Sequence, residues 1–302
     1  MKKILLVLIP LSIWATKSLA QKPQKDTASS LLSLIENDDE INYTKYSFKT
    51  NRIINLHSLE NTAMGVMDVK ISHRFGTVDE GFYNLFGLDQ ATQRFGIDYG
   101  ITDQLGVGVN RNSVKKAFDG FVKYKFLRQS TGKRNMPISA ALVVGAAIET
   151  QKPDDPTREN YFSSRLFYTS QLIIGSKLND YVTLELVPSY VHRNLVKTTD
   201  EKNYVYAMGI GGRIRLTRRM TINAEYVYVL PNQLASNFKN SLSVGLDIET
   251  GGHVFQLHFT NSTSMSEYGF ITQTENNWGK NAVRFGFNVS RVFTIWDPKK
   301  IK

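Results

Sequence analysis

The chain has 302 residues, a formal net charge of +10 and no cysteine. The lack of cysteine excludes disulfides as a source of stability. No segment after the first twenty residues has the eighteen or more consecutive apolar residues of a membrane-spanning helix, so composition excludes an α-helical membrane protein. Nothing resembles a nucleic-acid-binding module.

The first residues, MKKILLVLIPLSIWATKSLAQ, predict a secretory signal peptide over residues 1–20. Lys2 and Lys3 precede an apolar run, and small residues stand at the expected cleavage site. Gln21 follows the cut, which argues against a lipid anchor at a cysteine. Removal of three lysines with the signal lowers the net charge from +10 to +7, which leaves an anionic lipid or an anionic solute as partner.

Residues 21–63 have no regular repeat. QKPQKDTASS is polar, and SLLSLIENDDE predicts a short acidic helix. YSFKTNRIIN, residues 46–55, has the composition of a strand. We expect this segment to lie apart from the repeating elements that follow it.

From residue 64 onward, stretches of alternating apolar and polar residues are separated by breaks. Met67, Val69 and Ile71 fall on one face of the first stretch, and Asp68 and Lys70 on the other. Such alternation predicts strands that separate two environments. The twelve predicted strands are GVMDVKISHRF, RFGIDYG, LGVGVN, FVKYKFLR, SAALVVGAAI, SRLFYTSQLIIG, VTLELVPSY, YVYAMGIGGRIRL, INAEYVYVL, LSVGLDIE, VFQLHFT and VRFGFNVSRVF.

The breaks alternate in length. The short ones are predicted at 101–104, 178–180, 217–220 and 249–252, with 128–137 as a longer member. The long polar ones are predicted at 77–92, 111–119, 149–162, 193–203, 231–240 and 261–280. Short turns at one end and long loops at the other are typical of an outer-membrane barrel.

The sequence therefore predicts an all-β protein, a closed antiparallel transmembrane β-barrel of about twelve strands (roughly 10–14) over residues 64–296, with a tail at 297–302. Short turns would face the periplasm and long loops the exterior. A thirteenth strand at 46–55 would make the count odd, so we expect residues 21–63 at the periplasmic mouth or inside the lumen. A soluble β-sandwich also shows alternation, but it does not explain the alternating break lengths.

Four tyrosines share the apolar face near the predicted outer end of two strands: Tyr204, Tyr206, Tyr226 and Tyr228. Aromatic residues at that level predict an interfacial girdle. The opposite face of these strands carries glycine and arginine, and we expect it to line the lumen.

Charged side chains on the predicted inner face include nine basic and six acidic residues. The basic ones are Lys70, Arg74, Arg94, Lys123, Lys125, Arg165, Arg213, Arg215 and Arg284, and the acidic ones are Asp68, Asp98, Glu185, Glu225, Asp247 and Glu249. This excess predicts a pore that favours anions. A closed lumen filled by a mutually neutralising network is the alternative. Gly106, Gly108, Gly145, Gly209 and Gly211 leave room, which favours a narrow passage.

No residues indicate a metal site, a cofactor or an enzyme. The five histidines, His57, His73, His192, His253 and His258, lack metal-ligand spacing. Ser189 and His192 would fall on opposite faces of one strand, which argues against a lipid hydrolase on the outer wall. The close glycines of GITDQLGVG and GIGGR match no nucleotide-binding motif.

Several stretches resemble a family of Gram-negative outer-membrane barrels, the domain of unknown function 5777 family: KTNRIINLHSLENTAMGVMDVKISHRFG, LFGLDQATQRFGIDYGITDQLGVGVNR, DGFVKYKFLRQ and RFGFNVSRVF. The resemblance covers roughly residues 45 to 295. It implies a β-barrel and brings no activity, cofactor or catalytic residue. The tail DPKKIK after Phe293 and Trp296 is longer than outer-membrane barrels usually have.

The leading hypothesis is a narrow outer-membrane pore for small polar or anionic solutes, porin-like and embedded in outer-membrane lipid. A closed structural or docking barrel is the rival, with a periplasmic protein bound through residues 21–61. We expect the outer membrane of a Gram-negative bacterium as the location.

Overall fold

The computed structural model describes residues 40–152, 157, 159–280 and 282–297. The predicted signal peptide, almost all of the predicted acidic helix and most of the predicted tail lie outside these ranges. No helix within them is long and apolar enough to cross a membrane.

Twelve strands close into one antiparallel barrel in the order β10-β11-β12-β13-β14-β2-β3-β4-β5-β7-β8-β9, so the predicted fold is confirmed. The wall strands are β2 (Val66–Thr77), β3 (Ala91–Gly100), β4 (Leu105–Asn112), β5 (Phe118–Leu127), β7 (Ser139–Ile148), β8 (Leu166–Lys177), β9 (Val182–Arg193), β10 (Tyr204–Arg215), β11 (Met220–Val229), β12 (Ser241–Thr250), β13 (His253–Thr260) and β14 (Arg284–Thr294). Closure of the ring leaves no exposed strand edge in the wall.

Short elements lie outside the wall. Strands β1 (Ile41–Tyr43) and β6 (Ser130–Gly132) pair with each other. Helix α1 (Glu267–Thr272) lies in the connection between β13 and β14. The 3-10 helices are Val78–Glu80, Phe82–Gly87, Val114–Lys116, Ser163–Arg165 and Trp278–Lys280.

The two ends of the barrel differ as predicted. At one end, the turn end, the connections are residues 101–104, 128–138, 178–181, 216–219 and 251–252. At the other, the loop end, they are 78–90, 113–117, 149–165, 194–203, 230–240 and 261–283. The connection at 113–117 is shorter than the sequence indicated, because β4 and β5 both extend into the predicted loop.

The strands carry apolar side chains outward. In β10, Tyr204, Tyr206 and Ile210 are exposed on the outer wall, whereas Val205 and Arg213 are buried inside. In a closed wall this alternation means that the exposed apolar face meets the surroundings and the other face meets the lumen. The barrel is thus apolar outside and mixed inside, where charged residues such as Arg213 lie beside an apolar cluster that includes Val187 and Val205.

Candidate functional site: a plugged lumen

Residues 47–62, here called the plug, occupy the lumen without forming a strand. The chain turns back on itself: the Ile53 N–H donates to the Leu56 carbonyl at 2.8 Å, and Ser58 N–H donates to the Asn51 carbonyl at 3.0 Å. Ile53, Leu56 and Leu59 are fully or almost fully buried. The strand composition of residues 46–55 is therefore misleading, because these apolar residues cover one another and the wall instead of alternating.

The carboxylate of Glu225 on β11 is the main anchor of the plug. It accepts the backbone N–H groups of Ile54, Asn55 and Leu56 at 3.1, 2.9 and 3.0 Å. Three amide donors on one buried carboxylate replace much of the water that the charge loses on burial. Glu225 thus fixes the plug through backbone groups, whatever side chains the plug carries.

Other wall side chains hold the rest of the plug. The Glu185 carboxylate accepts the Leu59 N–H at 3.0 Å, and the Lys123 ammonium donates to the Ser58 carbonyl at 2.6 Å and also to the Glu60 carbonyl. Gln256 donates to the Ile53 carbonyl. These directed polar bonds hold the plug at its backbone, and Ile53, Leu56 and Leu59 add apolar packing against inward-facing wall residues.

Two glycines of β10 make room for the plug. A Cβ atom on Gly209 would lie 3.1 Å from Cδ1 of Leu56, and one on Gly211 would lie 2.1 Å from Cδ1 of Ile53. The prediction that lumen glycines leave room is right for these two, but plug side chains fill that room. At these glycines the expected narrow passage is closed.

The connection between β13 and β14 closes the lumen from the loop end. Its residues 261–280, here called the outer loop, include α1, whose six residues are all buried. Tyr268 stacks on Phe167 of β8 with ring centroids 4.2 Å apart. A loop predicted to be external and polar therefore turns into the barrel through one short apolar run, YGFI.

The plug and the outer loop meet at Glu267. Its carboxylate lies 2.6 Å from the Arg52 guanidinium and 3.1 Å from Nε2 of His57, and Arg94 of β3 lies 3.9 Å away. Burial alone would raise the pKa of Glu267, but Arg52 and the hydrogen bond with His57 hold this pKa well below its usual value. The two closures are thus joined by a buried charge cluster.

His57 is the neutral member of this cluster. Burial, reinforced by the nearby Arg52 charge, lowers the pKa of His57 from 6.5 to about 3. Its ring also meets Phe121 of β5 edge-on, with centroids 4.5 Å apart. Because the charged imidazole is disfavoured here, closure of the plug is coupled to loss of a proton from His57.

Arg74 of β2 connects the plug to the outer loop a second time. Its guanidinium donates to Asn55 Oδ1 in the plug and to the carbonyl oxygens of Ser264 and Ser262 in the outer loop at 2.9 and 3.4 Å. Its Nε lies 3.3 Å from Nε2 of His258. Arg74 is 1% exposed, so this cation is buried between the plug, the outer loop and the wall.

Most of the predicted lumen residues lie inside the barrel. Seven are buried: Arg74, Arg94, Asp98, Lys123, Glu185, Arg213 and Glu225. Lys70 is half-buried and bonds Asp98 at 2.5 Å. They line a filled lumen and contact the plug or one another.

Four of the predicted lumen residues lie nearer the ends. Arg165 belongs to the 3-10 helix before β8 at the loop end, not to a strand, and Arg284 begins β14 there and donates to the Phe75 carbonyl. Arg215 lies 5.0 Å from the ring centroid of Tyr181 in a turn, and Lys125 is half-buried near the turn end. Of the four, only Arg165 falls outside a wall strand.

The four predicted girdle tyrosines all point outward. Tyr204, Tyr206, Tyr226 and Tyr228 are each between 38% and 49% exposed, and Tyr206 lies 5.3 Å from Tyr190 between ring centroids. They form a patch on the outer wall near the loop end.

The described part of the chain holds no group of three acidic or histidine side chains that would suit a metal ion. Ser189 points inward and takes a hydrogen bond from Gln171, whereas His192 lies on the outer face beside Tyr168. The two do not converge on a hydrolytic site.

Sequence reasoning missed the side of the site that the plug and the outer loop supply, namely Arg52, Asn55 and His57 of the plug and Glu267 of the outer loop. Two signals pointed to them: apolar residues without alternation in NRIINLHSL, and the apolar run YGFI in a polar loop. Neither signal identifies its partner on the wall.

The chain belongs to the family described as a membrane bound beta barrel domain (DUF5777), whose model matches residues 48–293. The matched region thus begins inside the plug. A search of curated protein sequences found no significant match.

Solved structures with a similar fold include the NanC porin, with 9% identity, a TM-score of 0.47 and coverage of 75% of this chain and 98% of that one. The KdgM porin in complex with disordered oligogalacturonate has 11% identity, a TM-score of 0.46 and coverage of 76% and 99%. An outer membrane channel from Pseudomonas putida F1 has 13% identity, a TM-score of 0.46 and coverage of 78% and 98%. At such TM-scores we take nothing about function from them.

Proposed function

We propose that the protein is a gated pore of the Gram-negative outer membrane, closed at rest by its own plug and open to small polar or anionic solutes when the plug leaves. One observation carries the proposal: buried charged side chains of the wall, such as Glu225, Glu185 and Lys123, hold the plug by its backbone. These charges would be hydrated once the plug is gone. The lumen also has an apolar part around Val187 and Val205, which the plug and the outer loop cover in the closed barrel.

The size of the barrel supports this. A barrel of about eight strands is filled by its own wall side chains, and larger barrels need a plug or hold an aqueous channel. With twelve strands, a lumen cleared of both the plug and the outer loop would hold a water-filled passage. Basic residues near the two ends of the barrel, such as Arg215 and Arg284, would then favour the entry of anions.

Directed polar bonds make displacement feasible. Each plug amide that leaves Glu225 or Glu185 exchanges one hydrogen bond for a bond to water, and the net change per bond is only about 0.5–3 kcal/mol. The plug is joined to residue 46 at the turn end, where Tyr46 is 77% exposed. We infer that this end faces the periplasm and that the plug leaves through it.

A tethered variant tests the proposal. An ideal Cβ on Gly211 lies 2.1 Å from Cδ1 and 3.6 Å from Cγ1 of Ile53. The Ile53 Cβ is one bond beyond Cγ1, so a cysteine pair there would have its Cβ atoms near the upper end of the roughly 3.5–4.5 Å that a disulfide needs. Because the chain has no cysteine, the I53C/G211C disulfide would be unique.

Conductance is measured in planar bilayers across a salt gradient, with E225Q/E267Q as the variant that releases the plug. We expect discrete anion-selective steps from E225Q/E267Q. When I53C/G211C is added to those two changes, the disulfide should silence the channel until a reductant is added. Hydrogen exchange of the amides of residues 54–56 reports release independently. If a variant whose plug amides exchange freely showed no conductance, the proposal of a pore would be overturned.

A closed docking barrel is the second candidate, favoured by the double seal of plug and outer loop. It predicts inserted protein that never conducts, even with the plug released. The same recordings therefore separate the two functions.

A further inference from the structure

A small cavity lies between the plug and the wall strands β13, β14, β2 and β3. Its volume is about 30 Å³, and a cavity needs about 10–15 Å³ to hold one water molecule. It has room for a monatomic or similarly small ion.

The lining of this cavity is basic and contains no carboxylate. Its charged members are Arg52, Lys70, Arg74 and Arg94, and its neutral polar members include Asn55, Asn110, Gln256 and Asn288. The amide nitrogens of these four neutral residues each donate within the protein, so the donors available to an anion are the cations. The lining therefore has the chemistry of an anion site.

Three of the four cations already have acidic partners behind them. Lys70 pairs with Asp98, Arg94 with Asp119, and Arg52 with Glu267. Arg74 differs: its hydrogen-bond acceptors are the Asn55 amide, His258 and two backbone carbonyls, and no carboxylate of the described residues lies within ion-pair distance of it.

Arg74 also retains donor capacity. A guanidinium has five N–H groups, and four hydrogen bonds from Arg74 are accounted for. In Arg94, the Nε group is buried without an acceptor among the described residues. Glu225 acts on the Arg74 charge from beyond ion-pair distance, so no carboxylate of the described residues touches this guanidinium. An anion between these two arginines would contact both cations directly.

We propose that this cavity binds one small inorganic monovalent anion, of the size of chloride or bromide, in the closed barrel. The anion accepts hydrogen bonds from Arg74 and Arg94 and completes the contact between plug and wall. The site needs no solute passage, so it stands apart from the proposed pore.

Bromide is the probe. Crystals of the full chain grown in bromide are expected to show an anomalous peak in the cavity, within hydrogen-bond distance of the Arg74 guanidinium. A data set with the only ordered bromide elsewhere, or with none, would overturn the proposal.

Unfolding measurements in solution test whether bromide stabilises the closed barrel. The urea midpoint of oxidised I53C/G211C protein refolded in bromide is compared with that in sulfate at equal ionic strength. We expect a saturable rise with bromide. The tether keeps the pore shut, so the result does not depend on whether the barrel conducts.

Two variants of the tethered protein test whether the bromide effect arises from this cavity. Arg74→Gln removes the charge, and Ser72→Leu fills the cavity while all four cations remain. Both are expected to lose the bromide-dependent rise. Arg219→Gln, in an exposed turn, is the matched charge control and should retain it. A full response in Ser72→Leu would overturn the site, even if Arg74→Gln failed to fold.

Discussion

Arg52 of the plug and Glu267 of the outer loop meet 2.6 Å apart inside the barrel, both with less than a tenth of their side chains exposed. One lies before the first wall strand and the other before the last, so the two closures come from opposite ends of the barrel sequence. Opening either end disturbs the other, because each holds the buried partner of the other's charge.

We expect Glu267→Gln to open the barrel. Removing one partner of a buried ion pair costs about 3–5 kcal/mol, and here Arg52 would keep its charge without a carboxylate. Single-channel recording should show more frequent openings than in the native protein. Glu275→Gln makes the same chemical change at an exposed position in the same loop and should behave as the native protein does. Equally frequent openings in both variants would show that the Arg52–Glu267 ion pair does not keep the barrel closed.

We expect Glu225→Gln to loosen the plug more than Glu185→Gln does. Glu225 accepts three plug amides and Glu185 accepts one, and each charge-assisted hydrogen bond contributes about 1.5–3 kcal/mol. Exchange of the amides of residues 54–56, followed by mass spectrometry, measures the difference. Equal protection in the two variants would show that Glu225 is not the main anchor.

Acidification should favour opening. The pKa of His57 is about 3 in the closed barrel and about 6.5 when free, so the released plug binds a proton more tightly. The closed state is therefore most favoured above pH 6.5. As pH falls toward 3, the ratio of closed to open protein decreases by up to about tenfold per pH unit.

The lowered pKa of Glu267 acts in the same direction, because its stabilising charge is lost only as pH falls below the usual carboxyl range. Opening frequency is measured from about pH 7 to about pH 4.5. We expect His57→Gln to flatten the rise over this range and His253→Gln, at a turn, to retain it. If His57→Gln left the pH response unchanged, protonation of His57 would not be its cause.

Gly211 provides a test of how closely the plug packs against the wall. In Gly211→Ala the new Cβ would lie 2.1 Å from Cδ1 of Ile53, and such overpacking costs about 1–3 kcal/mol. We expect more frequent openings. Ile53→Val deletes that Cδ1 atom, so the double variant should close again.

Gly106→Ala is the control for Gly211→Ala, because the nearest atom to its new Cβ is a backbone oxygen at 3.6 Å. It should close as the native protein does. Failure of Ile53→Val to restore closure would show that Gly211 acts on the wall and not on the plug.

The wall was predictable because a two-residue period records which medium each side chain meets. Tyr204 and Arg213 reveal their faces without knowledge of any partner. The alternating breaks also gave the strand order, since short turns oblige consecutive strands to pair.

The plug was not predictable in the same way. Ile53, Leu56 and Leu59 follow no period, because an irregular chain inside a barrel has no repeating contact. Glu225 was correctly expected to face inward, but its backbone partners carry no signature in the sequence. Gly211 shows the limit most clearly: a missing side chain indicates space and does not say what fills it.

The pairing of β1 with β6 has a mechanical consequence. Ile41, Asn42 and Tyr43 pair with residues 130–132, and the Arg128 guanidinium lies 3.8 Å from the Tyr43 ring centroid. These contacts stand between the N-terminal part of the chain and the plug. Tension applied to that part must first peel β1 from the rim, and only then does it reach Ile53. A brief or weak pull is absorbed at the rim, and only a sustained one moves the plug.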